Sequence, residues 1–168
     1  EALQEPARLP TGRQGSPTDF NAYLHIKADG RVTCFSGKIE MGQGPATSLA
    51  QLLAEELDVP LASVDVVLGD TDLCPWDMGT FGSLTIRQFG PLLREAAAEA
   101  RAVLVQMASE RLQVPAERLV VADGVVSDRD NRAARVTYAQ LTEGRRIERR
   151  LGAKPALEPV ERFTIVGR

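Results

Sequence analysis

The stretch GQGPAT at residues 42–47 joins a short apolar strand, predicted over Val32 to Ser36, to an amphipathic helix. Gly42 and Gly44 let backbone N–H groups approach a ligand closely, and the N-terminus of the following helix favours an anion. The junction therefore has the features of a binding site for a phosphate or a pterin. A tight turn that simply needs a glycine gives the same pattern and is its more common cause. A second polar loop rich in glycine favours the ligand-binding interpretation.

A hairpin comes before this junction and a helix follows it. The first strand is predicted over Ala22 to Ile26, and an Asp-Gly pair turns the chain into the second strand because both residues tolerate positive φ. Pro45 suits the first position of the helix, which ends near Asp58 ahead of a proline. Glu55 and Glu56 are predicted on the side of this helix that faces away from the core. The core side carries the leucines at helical spacing, which are Leu49, Leu52, Leu53 and Leu57.

The second half of the chain repeats the order of helix and strand. A strand is predicted over residues 64–67, a long helix over 91–112 and a hairpin over 119–127. Residues 135–138 are predicted to add a short strand or to lead into a turn. Both helices end in Leu-x-Val-Pro, and a strand begins four residues beyond each proline. The pattern predicts an α+β fold, a two-layer α/β sandwich in which two helices cover one face of a mixed sheet.

The domain organisation follows from changes in composition along the chain. Residues 1–18 contain several prolines and glycines and are predicted to form an extended arm. Residues 19–141 are predicted to form the α/β domain. Residues 142–168 are charged and interrupted by prolines, which predicts a solvated linker and the start of a following segment. Met41 is expected to fill a gap in the core.

Composition and charge narrow the possible function classes. A net charge of −3 and 5% aromatic residues argue against a nucleic-acid partner. No run of residues approaches the length of a membrane-spanning helix, and the first twenty residues lack the plan of a secretory signal. The compartment, cytoplasmic or periplasmic, stays open.

The cysteines and the histidine do not have the spacing of a metal site. Cys34 and Cys74 lie far apart in the sequence, and His25, the single histidine, falls on a strand. A disulfide between the cysteines stays an alternative, but a buried thiol is the better interpretation of Cys34. His25 is interpreted as a strand residue rather than a catalytic base.

A long polar loop separates the strand at residues 64–67 from the long helix. It runs from Asp70 to about Phe89 and contains many turn-forming residues and few apolar anchors. A loop of this length is unusual in a compact domain unless a ligand or a partner orders it. The loop therefore favours a functional interpretation of its glycine-bearing centre, which is Thr80, Phe81, Gly82 and Ser83.

Several stretches in a fixed order carry a resemblance to a known family. They are GKIEMGQG at 37–44, AEELDVP at 54–60, GDTD at 69–72 with GTFGS at 79–83, and TIVGR at 164–168. From about residue 20 onward the chain resembles the xanthine dehydrogenase and aldehyde oxidase family. More narrowly, it is similar to the N-terminal part of the molybdopterin-binding large subunit of the isoquinoline 1-oxidoreductase type.

The resemblance implies part of a molybdenum hydroxylase, which hydroxylates an aldehyde or an N-heterocycle with oxygen derived from water. It implies a molybdopterin cofactor, often a cytosine dinucleotide, together with the remaining domains of the large subunit and a [2Fe-2S] ferredoxin-like small subunit. The residues expected to contact the cofactor are Gly42, Gln43, Gly44, Thr47, Thr80, Phe81, Gly82 and Ser83.

The departures from the family pattern limit what this chain is expected to do. The family's glutamate base lies near the end of a much longer subunit, so no catalytic residue is assigned, and Glu40 is not given that role. Phe81 stands where a small residue is common, which predicts either a narrower approach to the metal or a rearranged loop. We expect the chain alone neither to bind the cofactor tightly nor to turn over substrate. The alternatives are a stand-alone anion- or nucleotide-binding module and a non-catalytic assembly domain.

Overall fold

The computed structural model describes residues 17–149, 151 and 155–167. Nearly all of the predicted N-terminal arm, residues 1–16, lies outside the described residues. The regular elements are β1 (Leu24–Ile26), β2 (Val32–Ser36), α1 (Pro45–Leu57), β3 (Val64–Leu68), α2 (Gly90–Leu112), β4 (Leu119–Ala122), β5 (Val125–Asp128), β6 (Arg135–Thr137) and α3 (Tyr138–Thr142). The predicted α+β class is confirmed. No helix within the described ranges has the length and apolar character needed to cross a bilayer.

The strands form two three-stranded sheets. In the first sheet β2 is central, antiparallel to β1 and parallel to β3, so this sheet is mixed as predicted. In the second sheet β5 lies between β4 and β6, and both pairings are antiparallel. The sequence pattern suggests a single sheet, but the second hairpin pairs with β6 and not with the first sheet.

The core lies between the two long helices and the first sheet. Helix α1 packs along α2 and covers β2 and β3. Small side chains on α2 are buried, which lets the helices approach closely. The largest fully buried aliphatic side chains of the helices are Leu49, Leu53, Leu57, Leu93, Leu104 and Val103.

The second sheet is tied to the C-terminal end of α1. The hydroxyl of Tyr138 donates to the carbonyl of Leu57 at 3.0 Å, and Tyr138 is 2% exposed. The backbone N–H of Gly124, in the turn between β4 and β5, donates to the carbonyl of Asp58 at 2.7 Å. These bonds satisfy carbonyls at a helix end that would otherwise lack partners.

Glu55 and Glu56 do not face solvent, contrary to the prediction. They are 6% and 2% exposed because the C-terminal residues pack over this side of α1. Glu55 Oε1 accepts hydrogen bonds from the backbone N–H groups of Ile165 and Val166. Glu56 forms an ion pair with Arg94, with 2.5 Å between Oε1 and Nε, and Oε2 accepts from the N–H of Glu158 at 3.1 Å.

The chain beyond α3 is mostly exposed in its described residues, but it is anchored to the domain at Ile147. Ile147 is 8% exposed, and both its carbonyl and its N–H are bonded to the side-chain amide of Asn21. The described segment at residues 163–167 forms no strand. Its backbone N–H groups bind the Glu55 carboxylate instead of a neighbouring strand.

Candidate cofactor-binding site

The first candidate loop, residues 37–44 and here called loop 1, folds around the carboxylate of Glu40. Oε1 of Glu40 accepts from the N–H groups of Gly42 at 2.8 Å and Gly44 at 3.0 Å, and Oε2 accepts from Ala46 at 3.2 Å. These donors, chiefly Gly44 and Ala46, lower the pKa of Glu40 by stabilising its charged form. The anion seat predicted at the start of α1 is therefore filled by a side chain of the same loop.

The side chain of Gln43 forms two hydrogen bonds to the backbone of loop 1. Its Oε1 accepts from the N–H of Met41 at 2.6 Å, and its Nε2 donates to the carbonyl of Ile39 at 2.9 Å. One Nε2 hydrogen and one Oε1 lone pair remain, because an amide side chain has two donors and two acceptor positions. Gln43 is exposed, so this remaining capacity faces outward.

Ile39 joins loop 1 to the second candidate loop, residues 75–84, here called loop 2. The N–H of Ile39 donates to Thr80 Oγ1 at 2.8 Å, while its carbonyl accepts from Gln43. A single residue thus connects Gln43 on loop 1 to Thr80 on loop 2. The structure brings together the two predicted loops, which are far apart in the sequence.

The tip of loop 2 and the first turn of α1 present exposed polar groups. Gly82 and Ser83 both have positive φ, 61° and 55°, which turns the tip sharply. Phe81 at this tip is 54% exposed. Thr47 is exposed on α1, and no hydrogen bond among the described residues ties Thr47 or Ser83 to the Ile39 connection.

Most of the exposed large apolar side chains lie on or beside these loops. Among the described residues there are seven, and six fall within this region: Ile39, Met41, Trp76, Met78, Phe81 and Ile86. The prediction that Met41 fills a core gap is wrong, because Met41 is 69% exposed on loop 1. A concentration of exposed apolar side chains of this kind is typical of a binding surface.

Lys38 and Asp77 also connect the two candidate loops, but they carry no sequence signal of this contact. Lys38 Nζ lies 2.8 Å from Asp77 Oδ1, across 39 residues of sequence. Lys38 is 4% exposed. A lone lysine between a glycine and an isoleucine predicts a surface position, so only the fold shows this contact.

The described residues show no group of three or more His, Cys, Asp or Glu side chains that could hold a metal ion. Cys34 and Cys74 are both free and buried, which confirms the buried thiol predicted for Cys34. Burial raises the pKa of Cys34 to about 12. His25 lies on β1 as predicted, and its pKa is lowered by burial and then by the charge of Lys27.

Comparison with known proteins gives consistent matches over most of the chain. Residues 5–164 match the family described as molybdopterin cofactor-binding domain. One of the subunits of nicotinate dehydrogenase from Pseudomonas putida is 34% identical over 97% of this chain and 14% of its own length. The beta subunit of isoquinoline 1-oxidoreductase from Brevundimonas diminuta is 37% identical over 72% of this chain and 16% of its own.

The solved structure of CO dehydrogenase from Oligotropha carboxidovorans has the same fold over the shared region. It superposes with a TM-score of 0.59 at 28% identity, covering 71% of this chain and 15% of that one. The chain thus spans about a seventh of the length of the relatives it matches. The match over residues 5–164 and the two relatives show that the chain belongs to the molybdopterin cofactor-binding domain family of the xanthine dehydrogenase type.

Proposed function

We propose that this chain forms one wall of the molybdopterin site in the large subunit of a molybdenum hydroxylase. The cofactor is proposed to be the cytosine dinucleotide form. The observation that carries this proposal is the connection through Ile39, which makes loops 1 and 2 one exposed surface. The residues proposed to contact the cofactor are Gly42, Gln43, Gly44, Thr47, Thr80, Phe81, Gly82 and Ser83.

The residues present fit a pterin better than they fit a phosphate. A Cβ added at Gly42 or Gly44 would meet no atom within 4 Å, so the space outside loop 1 is open. Gln43 offers both a donor and an acceptor there, which matches the edge of a pterin ring. The N–H groups at the start of α1 are bound by Glu40, so we expect the phosphates of the cofactor to lie elsewhere.

The protein and the cofactor have separate roles in this proposal. When bound, the molybdenum cofactor supplies the oxygen transfer to carbon and accepts the electrons. The residues of this chain bind and orient it, and apolar side chains such as Phe81 exclude water from its surroundings. The substrate class is proposed to be an aldehyde or an N-heterocycle, in keeping with relatives named for nicotinate and isoquinoline.

We infer that other parts of an assembly complete the site. The apolar side chains around the two loops are exposed in this chain, and the chain spans only a small share of its relatives. The remaining domains of the large subunit would cover this surface, and a [2Fe-2S] ferredoxin-like small subunit would take the electrons. The chain alone is therefore proposed to retain no cofactor and to turn over no substrate.

Two alternative functions remain open to test. A stand-alone anion- or nucleotide-binding module is disfavoured, because Glu40 already fills the N-terminus of α1 with its own carboxylate. A non-catalytic assembly domain would use the same exposed apolar surface without a cofactor. The metal content of the complete large subunit distinguishes this alternative from the leading proposal.

The experiment measures molybdenum by mass spectrometry and released CMP in the complete large subunit, co-purified with its small subunit. Stoichiometric amounts of both are expected. Thr47→Trp adds bulk at an exposed position on the first turn of α1, and it should lower the molybdenum content. Gln106→Trp, on the exposed side of α2, is the matched control and should retain molybdenum.

Three results would contradict parts of the proposal. Absence of molybdenum from the correctly folded, unaltered complex would remove the cofactor-binding function, and the assembly alternative would then stand. Full molybdenum content in Thr47→Trp would show that the cofactor does not approach this turn. Stoichiometric molybdenum in the isolated 168-residue chain would contradict the claim that this chain cannot retain the cofactor without the rest of the subunit.

A further inference from the structure

Lys38 is a buried lysine at the junction of the two loops. It lies two residues beyond β2, and its side chain is 5% exposed while that of its partner Asp77 is 13% exposed. Nζ of Lys38 donates to Asp77 Oδ1 and to the carbonyl of Gly79, both at 2.8 Å. An ammonium group is buried at this depth only when such partners compensate its lost hydration.

The bonds of Lys38 fix the backbone just before the tip of loop 2. Asp77 Oδ1 also accepts from the N–H of Gly79 at 2.8 Å, so Gly79 is held through both its N–H and its carbonyl. The next residue, Thr80, accepts from the N–H of Ile39. Lys38 and Ile39 of loop 1 therefore bind Gly79 and Thr80 of loop 2, respectively.

Gly37 permits the close approach that this arrangement needs. A Cβ at this position would lie 2.5 Å from the Cβ of Asp77 and 2.8 Å from the carbonyl oxygen of Pro75. Contacts that short do not occur, so any side chain here would push loop 2 away. We call the group of Gly37, Lys38, Asp77 and Gly79 the loop latch.

We propose that Lys38 is a positioning residue: its buried ammonium, acting through Asp77 and Gly79, sets where the tip of loop 2 stands relative to Gln43. The inference rests on the proposed function only in that the ligand facing both loops is taken to be the molybdenum cofactor. Lys38 is buried below the exposed surface, so it acts through the backbone of loop 2 and not on the cofactor itself.

The charge of Lys38 explains why this one side chain is enough to hold the tip of loop 2 in place. Hydrogen bonds that involve an ionised donor and an ionised acceptor are shorter and stronger than neutral ones. The pair with Asp77 is shielded from water and therefore less screened by salt than a surface pair. Removal of Lys38 leaves Asp77 without its cation and Gly79 without its carbonyl partner, so the latch opens at both contacts.

The first test measures amide hydrogen exchange in the 168-residue chain. In Lys38→Met, exchange at Gly79 and Ile39 should speed up by about tenfold or more, the factor that corresponds to about 1.4 kcal/mol. Amides in the middle of α1 should be unchanged. Lys27→Met is the matched control, because Lys27 pairs with Asp65 at 2.9 Å with side chains 40% and 38% exposed. Unchanged exchange at Gly79 and Ile39 in Lys38→Met would overturn the proposal.

The second test separates positioning from simple stabilisation in the complete large subunit. Lys38→Met should lower the molybdenum content several-fold. The double variant Lys38→Met with Asp77→Leu removes the unpaired carboxylate, so its thermal stability should recover, since apolar replacement of a buried pair is often neutral. Its molybdenum content should stay low. Recovery of molybdenum together with stability would show a merely structural role and overturn the proposal.

The outcomes also distinguish this inference from the proposed function. If the unaltered complete large subunit contained no molybdenum, the proposed function would fail while faster exchange at Gly79 would still establish the latch. If molybdenum were present and Lys38→Met retained all of it, the latch would fail as a positioning device while the cofactor-binding function would stand.

Discussion

The carboxylate of Glu40 accepts a hydrogen bond from the backbone N–H of Ala46, 3.2 Å away, and so closes the N-terminus of α1. The N-cap residue of this helix is a glycine with φ 81° and no side chain to cap with. Glu40 supplies the missing oxygen atoms from outside the helix. Because Glu40 occupies the N–H groups at the start of α1, these groups are not free to bind the predicted anion. The outer side of loop 1 remains as the surface that a ligand could contact.

The first prediction concerns the pH dependence of loop 1. The pKa of Glu40 is lowered in the folded state, so its contribution to loop order is present above the ordinary glutamate range and is lost as the pH falls through the folded value. In NMR titrations, the amide shifts of Gly42, Gly44 and Ala46 should move together with a midpoint below the usual glutamate pKa. In Glu40→Gln this common step should disappear. Titration of the three amides at the ordinary value would contradict the capping role.

The second prediction concerns the buried ion pair between Glu56 and Arg94. Their side chains are 1% and 16% exposed, and breaking a buried pair leaves an uncompensated charge. Glu56→Ala should lower the free energy of unfolding by about 3 kcal/mol or more, measured by urea denaturation. Glu110→Ala, which removes the partner of Arg149 at the surface, should leave the midpoint nearly unchanged. Equal effects of both variants would contradict the burial argument.

The third prediction tests the close approach at Gly37. Gly37→Ala should lower the free energy of unfolding by about 1–3 kcal/mol, because the added methyl meets backbone and Cβ atoms that cannot move freely. Gly90→Ala is the control, since its added methyl would lie 3.3 Å from the flexible end of Leu52, which can shift. Calorimetry of both variants gives the comparison. Stability of Gly37→Ala equal to that of the unaltered chain would show that loop 2 does not lie as close as described.

The fourth prediction concerns the two thiols. Cys34 is fully buried and its pKa is raised to about 12, while burial also raises the pKa of Cys74. The thiolate is the reactive form, so neither residue should react with iodoacetamide at about pH 8 in the folded chain. Both should react once the chain is unfolded in denaturant. Rapid labelling of Cys34 under native conditions would show that the core around β2 opens readily.

The sequence predicts well those elements whose bounds are set by residues within or next to the element itself. The bounds of β2 agree with the prediction, and α1 begins at Pro45, where the glycine turn and the proline indicate its start. The helix α3 also has a local signal in the sequence, which the prediction for residues 135–138 overlooks. Thr137 and Gln140 form a capping box, in which Thr137 Oγ1 accepts from the N–H of Gln140 and the Gln140 side chain accepts in return.

Features that depend on distant residues were not predictable from periodicity. Glu55 and Glu56 have the composition of an exposed helix side, and they are buried only because Arg94 of α2 and the C-terminal residues cover them. In the same way, Lys38 gains its partner from a loop that follows β3. The candidate loops themselves were found because glycine and polar turn residues are local signals. Their connection through Ile39 needed the fold.

An experimental structure of the complete large subunit with its cofactor bound is the decisive test of the proposed site. We expect the pterin to lie against loops 1 and 2, within hydrogen-bonding distance of the Gln43 amide, with Glu40 still bound to the N–H groups at the start of α1. A cofactor found elsewhere in the subunit, with Gln43 and Ser83 both facing solvent or another polypeptide, would contradict it.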